Sequence, residues 1–184
     1  NEQKIKADRL EYVKDSKSRG VSYRAIGNVE IIDSVRTAIC GIASYDAKNE
    51  EIILNHKPRI TSEDRIIKGE QIKLNYTDEV LERIFIPKNA FITSASVGYN
   101  QLNIDSTNTL ISFEDRMSSK VLNGFFVNGS LDSLRLIGMA STTYHLFEDS
   151  LYKGKNLTSG DTIIMRFDEK DLDYIAVDGG SQGE

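Results

Sequence analysis

Apolar and polar residues alternate along most of this chain with a period of two. In YRAIGNVEIID, residues 23–33, Ala25, Gly27, Val29 and Ile31 fall on one side of an extended strand. Ile26 and Ile32 share the other side with Arg24, Asn28 and Glu30. Comparable runs follow one another: ADRLEYV, RTAICGIASYD, EEIILNH, RIIKGEQIKLNY, LERIFIP, AFITSASV, NTLISFED, GFFVNGS, SLRLIGMAS, TTYHLF, DTIIMRF and DYIAVDG. They are short, rich in Ile, Val, Leu, Tyr and Phe, and separated by Asn, Asp, Gly, Lys and Ser, which predicts strands nearly throughout. A helix over SEDRIIKGEQIKL is disfavoured by Gly69 and the β-branched residues around it. The expected fold class is all-β.

The segments also resemble one another. Tyr12 closes ADRLEY, Tyr45 closes CGIASY, Tyr76 closes GEQIKLNY and Phe167 closes GDTIIMRF, each before a polar turn and a returning strand. The three tyrosines recur at roughly 31 to 33 residues, a spacing typical of stacked repeats. A glycine step between apolar residues returns in AIGNV, ICGIA, IKGEQ, LIGMA and TSGDT. A hairpin with one apolar face cannot bury that face alone, so successive hairpins must stack until two sheets oppose each other. A jellyroll, a sandwich or a solenoid satisfies that demand, and glycines within strands mark its bulges or bends. With only two prolines, Pro58 and Pro87, and no low-complexity linker, residues 1–184 read as a single domain.

Composition narrows the function. Apolar residues make up 39% and charged residues 28%, and mean hydropathy is −0.36, a soluble globular balance with no long hydrophobic run. A net charge of −5 with scattered Lys and Arg argues against a nucleic-acid partner. Cys40 is the single cysteine and reads as a small buried hydrophobe in TAICGIA. His56 and His145, the two histidines, have no metal-ligand spacing and are expected in a turn or on a strand surface. Neither a G-x-S-x-G elbow nor a phosphate loop is present. Asp168, Glu169, Asp171 and Asp173 in FDEKDLD could hold calcium or act as an acid/base pair, but regular flanking strands favour a solvated hairpin turn. Asn75, Asn128 and Asn156 open N-x-S/T triplets, which matter only in a glycosylating host. No catalytic residue, metal or cofactor is assigned.

What remains is a stock of medium-sized apolar side chains. By alternation the inward candidates are Val29, Ile31, Ile39, Ile52, Leu54, Ile72, Leu74, Ile84, Ile86, Leu134, Leu136, Ile163 and Met165. Either they pack on each other in a closed, dry core, or the sheets stay apart along one side and the same residues line a slot for a lipid.

The phrases KADRLEY, AIGNVEI, CGIASYDAKNEEIIL, RIIKGEQIKLNYTDEVLERIFIPKNAFIT and SGDTIIMRFDEKDLDYIAVDGG resemble the OstA-like repeats of the lipopolysaccharide-transport (Lpt) proteins. The resemblance spans nearly the whole chain, is strongest over residues 4–93 and 156–180, and is weakest over 94–155. It implies an open, twisted β-jellyroll of two facing antiparallel sheets built from repeated hairpins. It also implies a periplasmic location and a greasy interior, the lipid-binding groove, that shields the acyl chains of lipopolysaccharide without a chemical step. The implied partners are lipopolysaccharide or a related lipid and other Lpt-type jellyrolls or further copies of itself, joined edge to edge and head to tail. The outer membrane would then be reached through partner proteins. The opening at Asn1 without methionine fits a removed signal or upstream segment, and the ending VDGGSQGE fits a fragment of a longer chain. Two other classes stay open: a structural or adhesive β-repeat protein with a closed core and no lipid cargo, and a polysaccharide-acting β-solenoid enzyme using Asp168 and Asp171.

Overall fold

Alternation builds hairpins, and the strand glycines decide where the hairpins bend. The computed structural model describes residues 4–14, 21–62, 64–100, 109–168, 171–180 and 182–183. Its strands are β1 (Lys4–Lys6), β2 (Arg9–Lys14), β3 (Val21–Ile32), β4 (Arg36–Asp46), β5 (Glu51–Asn55), β6 (Arg59–Ser62), β7 (Arg65–Lys68) and β8 (Gln71–Thr77). They continue as β9 (Val80–Ile86), β10 (Ala90–Asn100), β11 (Thr109–Ser119), β12 (Val121–Val127), β13 (Ser130–Glu148), β14 (Leu151–Asp168), β15 (Asp171–Asp178) and β16 (Gln182–Gly183). On either side of Gly69 the chain forms β7 and β8, strands and not a helix.

The pairings resolve into two facing antiparallel layers. One runs β2–β3–β4–β5–β8–β9–β12–β13–β14–β15. The other runs β1–β3–β4–β6–β7–β10–β11–β13–β14–β16. The long strands β3, β4, β13 and β14 belong to both, because each crosses from one layer to the other at a bend. The fold is thus an open twisted jellyroll whose connectivity is a meander: every leg pairs with its neighbours in sequence, then folds over one common crease.

The crease has a repeating construction. A residue of one leg donates its N–H to a carbonyl in the bend of the next: Asp8 to Gly27 at 2.9 Å, Gly41 to His56 at 3.1 Å and Glu70 to Lys88 at 3.1 Å. Lys120 to Gly138 and Asp161 to Gly179, both at 2.8 Å, continue the series. Gly27–Asn28 stand at φ 75° and 45°, and Gly138–Met139 at 78° and 51°. Each pair opposes a single residue of the neighbouring strand, as the breaks in register between Ile26 and Val29 and between Ile137 and Ala140 require. Such two-against-one bulges turn a strand sharply. The glycine steps singled out in the sequence, Gly27, Gly41, Gly69, Gly138 and Gly160, all lie on or beside this line. At the far ends of the layers the hairpins close on two-residue turns with positive φ at both positions, as at Asp78–Glu79, Asn128–Gly129 and Asp149–Ser150.

The apolar faces meet inside the fold. Leu54, Ile72, Ile86, Leu122, Leu136, Ile163 and Met165 are fully buried there. Cys40 is buried as its apolar context predicted, and burial pushes its thiol up to about 11. Two expectations need correction. Ile39 points outward and is 45% exposed, because in β4 the inward positions approaching Gly41 are Ala38, which lines the interior, and the buried Cys40. His145 is not on a strand surface: it is buried at 9% exposure against Asp115.

Candidate functional site

The interior is not filled from end to end. Between the layers lies a cavity of about 120 Å³, several times the space one water needs. Ile52, Leu54, Leu74, Leu81 and Ile84 line it from one layer, and Ile31, Ala38, Ile60 and Ile67 from the other. A second cavity of about 110 Å³ continues it towards β10 and β11, with Ile92, Met117 and Leu134 in its walls. Arg65, Ile67, Ile84 and Phe126 line both, so the two form one interrupted trough along the interior.

The polar groups of the first cavity come from the ends of the strands away from the crease. Asp33 accepts the backbone N–H of Val35 at 2.8 Å and of Arg36 at 2.7 Å, and the Arg36 guanidinium lies 3.3 Å from its carboxylate. Arg65 and Ser62 stand nearby, joined by a 3.4 Å bond from the Ser62 hydroxyl to the Arg65 carbonyl. Tyr76 closes the opposite side. Burial pushes its phenol up, Arg36 opposes that, and Asp33 adds to it. The arrangement is an apolar slot with a polar rim, the distribution an amphiphile presents in reverse.

At the first edge of the fold the inner face is uncovered. Leu10 and Tyr12 of β2 lie opposite Ala25 and Tyr23 and so face the interior, yet they are 61% and 70% exposed. The Tyr23 and Tyr45 rings stack beside them at 5.2 Å.

Of the residues expected to line a groove, Ile31, Ile52, Leu54, Leu74 and Ile84 border the first cavity, and Ile84 and Leu134 the second. Val29, Ile72, Ile86, Leu136, Ile163 and Met165 are buried in the packed interior and border neither. Sequence reasoning missed Ala38, Ile60, Ile67, Leu81 and Phe126. Counting alternately from Pro58 would have found Ile60, which pairs directly with Ile67. Tyr76 continues the alternation of Ile72 and Leu74, but nothing in an apolar pattern points to Arg36 or Arg65.

Two clusters of reactive residue types need separate account, one with Ser96 and Asp115 in the wall of the second cavity and one at the β14–β15 turn. Ser96, Asp115 and His145 come together, but the carboxylate is in the middle. Asp115 accepts the Ser96 hydroxyl and, 2.7 Å away, faces His145 Nδ1. A nucleophilic triad needs the imidazole between serine and carboxylate, so this is not that device. Asp168 pairs with Asp171 across the β14–β15 turn, and Asp168 and Asp173 are exposed, while Glu169 and the Asp171 side chain lie outside the described residues. Among the described residues no group of His, Cys, Asp and Glu is placed to hold a metal.

No family model matches the chain, and no curated protein matches it. Among solved structures, LptH of Pseudomonas aeruginosa, described as the LptA homologous periplasmic component of the lipopolysaccharide transport device, superposes with a TM-score of 0.48 at 12% identity. The match covers 97% of this chain and 83% of that one.

Proposed function

We propose that this chain is a periplasmic carrier module that holds the acyl chains of lipopolysaccharide, or of a closely related lipid, between its two layers. The observation that carries the reading is the interrupted trough between the layers, walled mainly by Ile and Leu in its first cavity and rimmed by Arg36, Arg65 and Tyr76, together with the inner face left uncovered at Leu10 and Tyr12 on the first edge. Each buried methylene is worth about 0.8 kcal/mol, so exposing an acyl tail of about a dozen carbons costs on the order of 10 kcal/mol. Shielding that surface is a sufficient task for a protein, and a row of Ile and Leu performs it with no bond made or broken. The OstA-like phrasing of the sequence supports the choice of cargo, and its glycine steps lie on or beside the crease that brings the two layers face to face.

The same reading extends to assembly. Among the described residues, β1 and β2 pair only with β3, and β15 and β16 only with β14, so both lateral edges offer unpaired backbone groups. The first edge carries more cations than anions, with Lys4, Lys6, Arg9 and Lys14 against Asp8 and Glu11, whereas β15 carries Asp173 and Asp178. Opposite edges of two modules are therefore complementary in charge, which favours head-to-tail contact and disfavours pairing of like edges.

A photo-reactive residue at Leu74 or Ile84 is expected to capture lipopolysaccharide in cells, whereas one at exposed Lys48 is not. Capture from Lys48 alone would sink the reading and favour a dry structural module.

A further inference from the structure

The tip of the β13–β14 hairpin does not stay in its layer. β11 pairs with β13 only from Arg116 to Ser118, opposite Ser141–Thr143. Beyond that point the hairpin crosses to β10, where Tyr99 bridges Leu151 and donates its N–H to the Ser150 carbonyl at 2.7 Å. It crosses on the inner side. Ile92, Ser94 and Ser96 of β10 line the interior, and Gly98 has the same parity. A Cβ at Gly98 would lie 2.3 Å from the Phe147 ring and 2.6 Å from the Ser150 carbonyl, so the absent side chain is what lets the hairpin lie down.

The attachment is polar and aromatic. Asp115, 1% exposed, accepts the His145 N–H at 2.8 Å and faces its Nδ1, while Ser96 holds the other carboxylate oxygen. Phe113 stacks on His145 at 4.4 Å and on Tyr152 at 4.6 Å. Ser96 and Asp115 also line the second cavity, with Tyr144 at the root of the hairpin beside them. The cavity thus follows Ile92, Ser94 and Ser96 along β10, and the hairpin tip lies over Gly98, the next inward position of the same strand.

The geometry points to residues 144–152 as an end-stop that sets how long a hydrocarbon chain the trough accepts, with Gly98, Phe147, Asp115 and His145 as the residues that fix its position. The assignment rests on the carrier reading above and adds a specificity to it. Each methylene that finds a buried site is worth roughly fourfold in affinity. Binding of a homologous series of saturated fatty acids should rise by that factor per methylene until the chain meets the hairpin, and then level off.

The test is the chain-length series measured on the wild-type protein and on Gly98→Ala, whose new methyl has nowhere to go unless the hairpin lifts. The backbone at Gly98 is not in the left-handed region, so alanine is conformationally acceptable there. The expected result is a plateau that moves to longer chains in the variant, with short-chain affinity unchanged. Phe147→Ala, which empties the same contact, should move it in the same direction and serves if Gly98→Ala does not fold. A plateau at the same length in both variants, or none in the wild type, overturns the end-stop while leaving the carrier reading intact. Absence of binding at every length removes the trough and the end-stop together.

Discussion

Replacing Ala38 with leucine separates a trough from a closed core, because the two predict opposite signs. Ala38 sits on β4 opposite Ile31 of β3 and Ile60 of β6, and all three line the first cavity. The substitution adds three carbons to a space of about 120 Å³. At about 0.8 kcal/mol per buried methylene the gain is about 2.4 kcal/mol, less the roughly 0.5–1 kcal/mol of rotamer freedom that a buried leucine loses. A net stabilisation of about 1–2 kcal/mol follows. In a filled interior the same change is overpacking and costs about 1–3 kcal/mol. Urea unfolding reads the difference: with a slope of about 2 kcal/mol/M the midpoint should rise by roughly 0.5–1 M at constant slope. Fatty-acid affinity should fall in the same variant, by roughly fourfold for each methylene displaced. A lowered midpoint with binding unchanged would refute the reasoning at its root.

Further outcomes follow from other parts of the fold. Gly27→Val places a β-branched residue at φ 75° with its Cβ 2.3 Å from the Asp8 carboxylate, so a loss of at least about 1–2 kcal/mol is expected in thermal or urea unfolding. Asp115→Ala strands the buried His145 N–H and the Ser96 hydroxyl, at a cost of roughly 1–3 kcal/mol for the orphaned groups, together with faster amide exchange at Tyr99. Cys40 holds its proton up to about 11 in the folded chain against 9.0 for the free thiol. The folded state therefore binds more protons between those values, and stability is unaffected below that window and falls as pH rises through it. Cys40→Ala should lose this component, read from urea midpoints across the alkaline range.

The sequence made the strands and the bends legible because both are local. Alternation placed Ala25, Val29 and Ile31 on one face, where they are buried, and the glycine steps marked the crease. It misplaced Ile39 because parity must be counted outward from a bend, and the bend at Gly41 exists only through its partner strand. The fate of His145 was invisible for a related reason: Asp115, its partner, is thirty residues away and is reached only because the hairpin leaves its layer. Of the residues that border the two cavities, Ile31, Ile52, Leu54, Leu74, Ile84 and Leu134 were readable from alternation. Which inward residues border a void and which pack tightly depends on the spacing of the two layers, a property of the assembled fold that no single strand encodes.

The central claim is that the space between the layers admits an alkyl chain. Methyl-resolved NMR during titration with a monomeric long-chain fatty acid tests it most directly. Saturable shifts at the methyls of Ile31, Ile60, Leu74 and Ile84, with Ile163 and Met165 little changed, are the predicted result. Shifts confined to the exposed Leu10, Val97 and Leu110, or none at all, would contradict it.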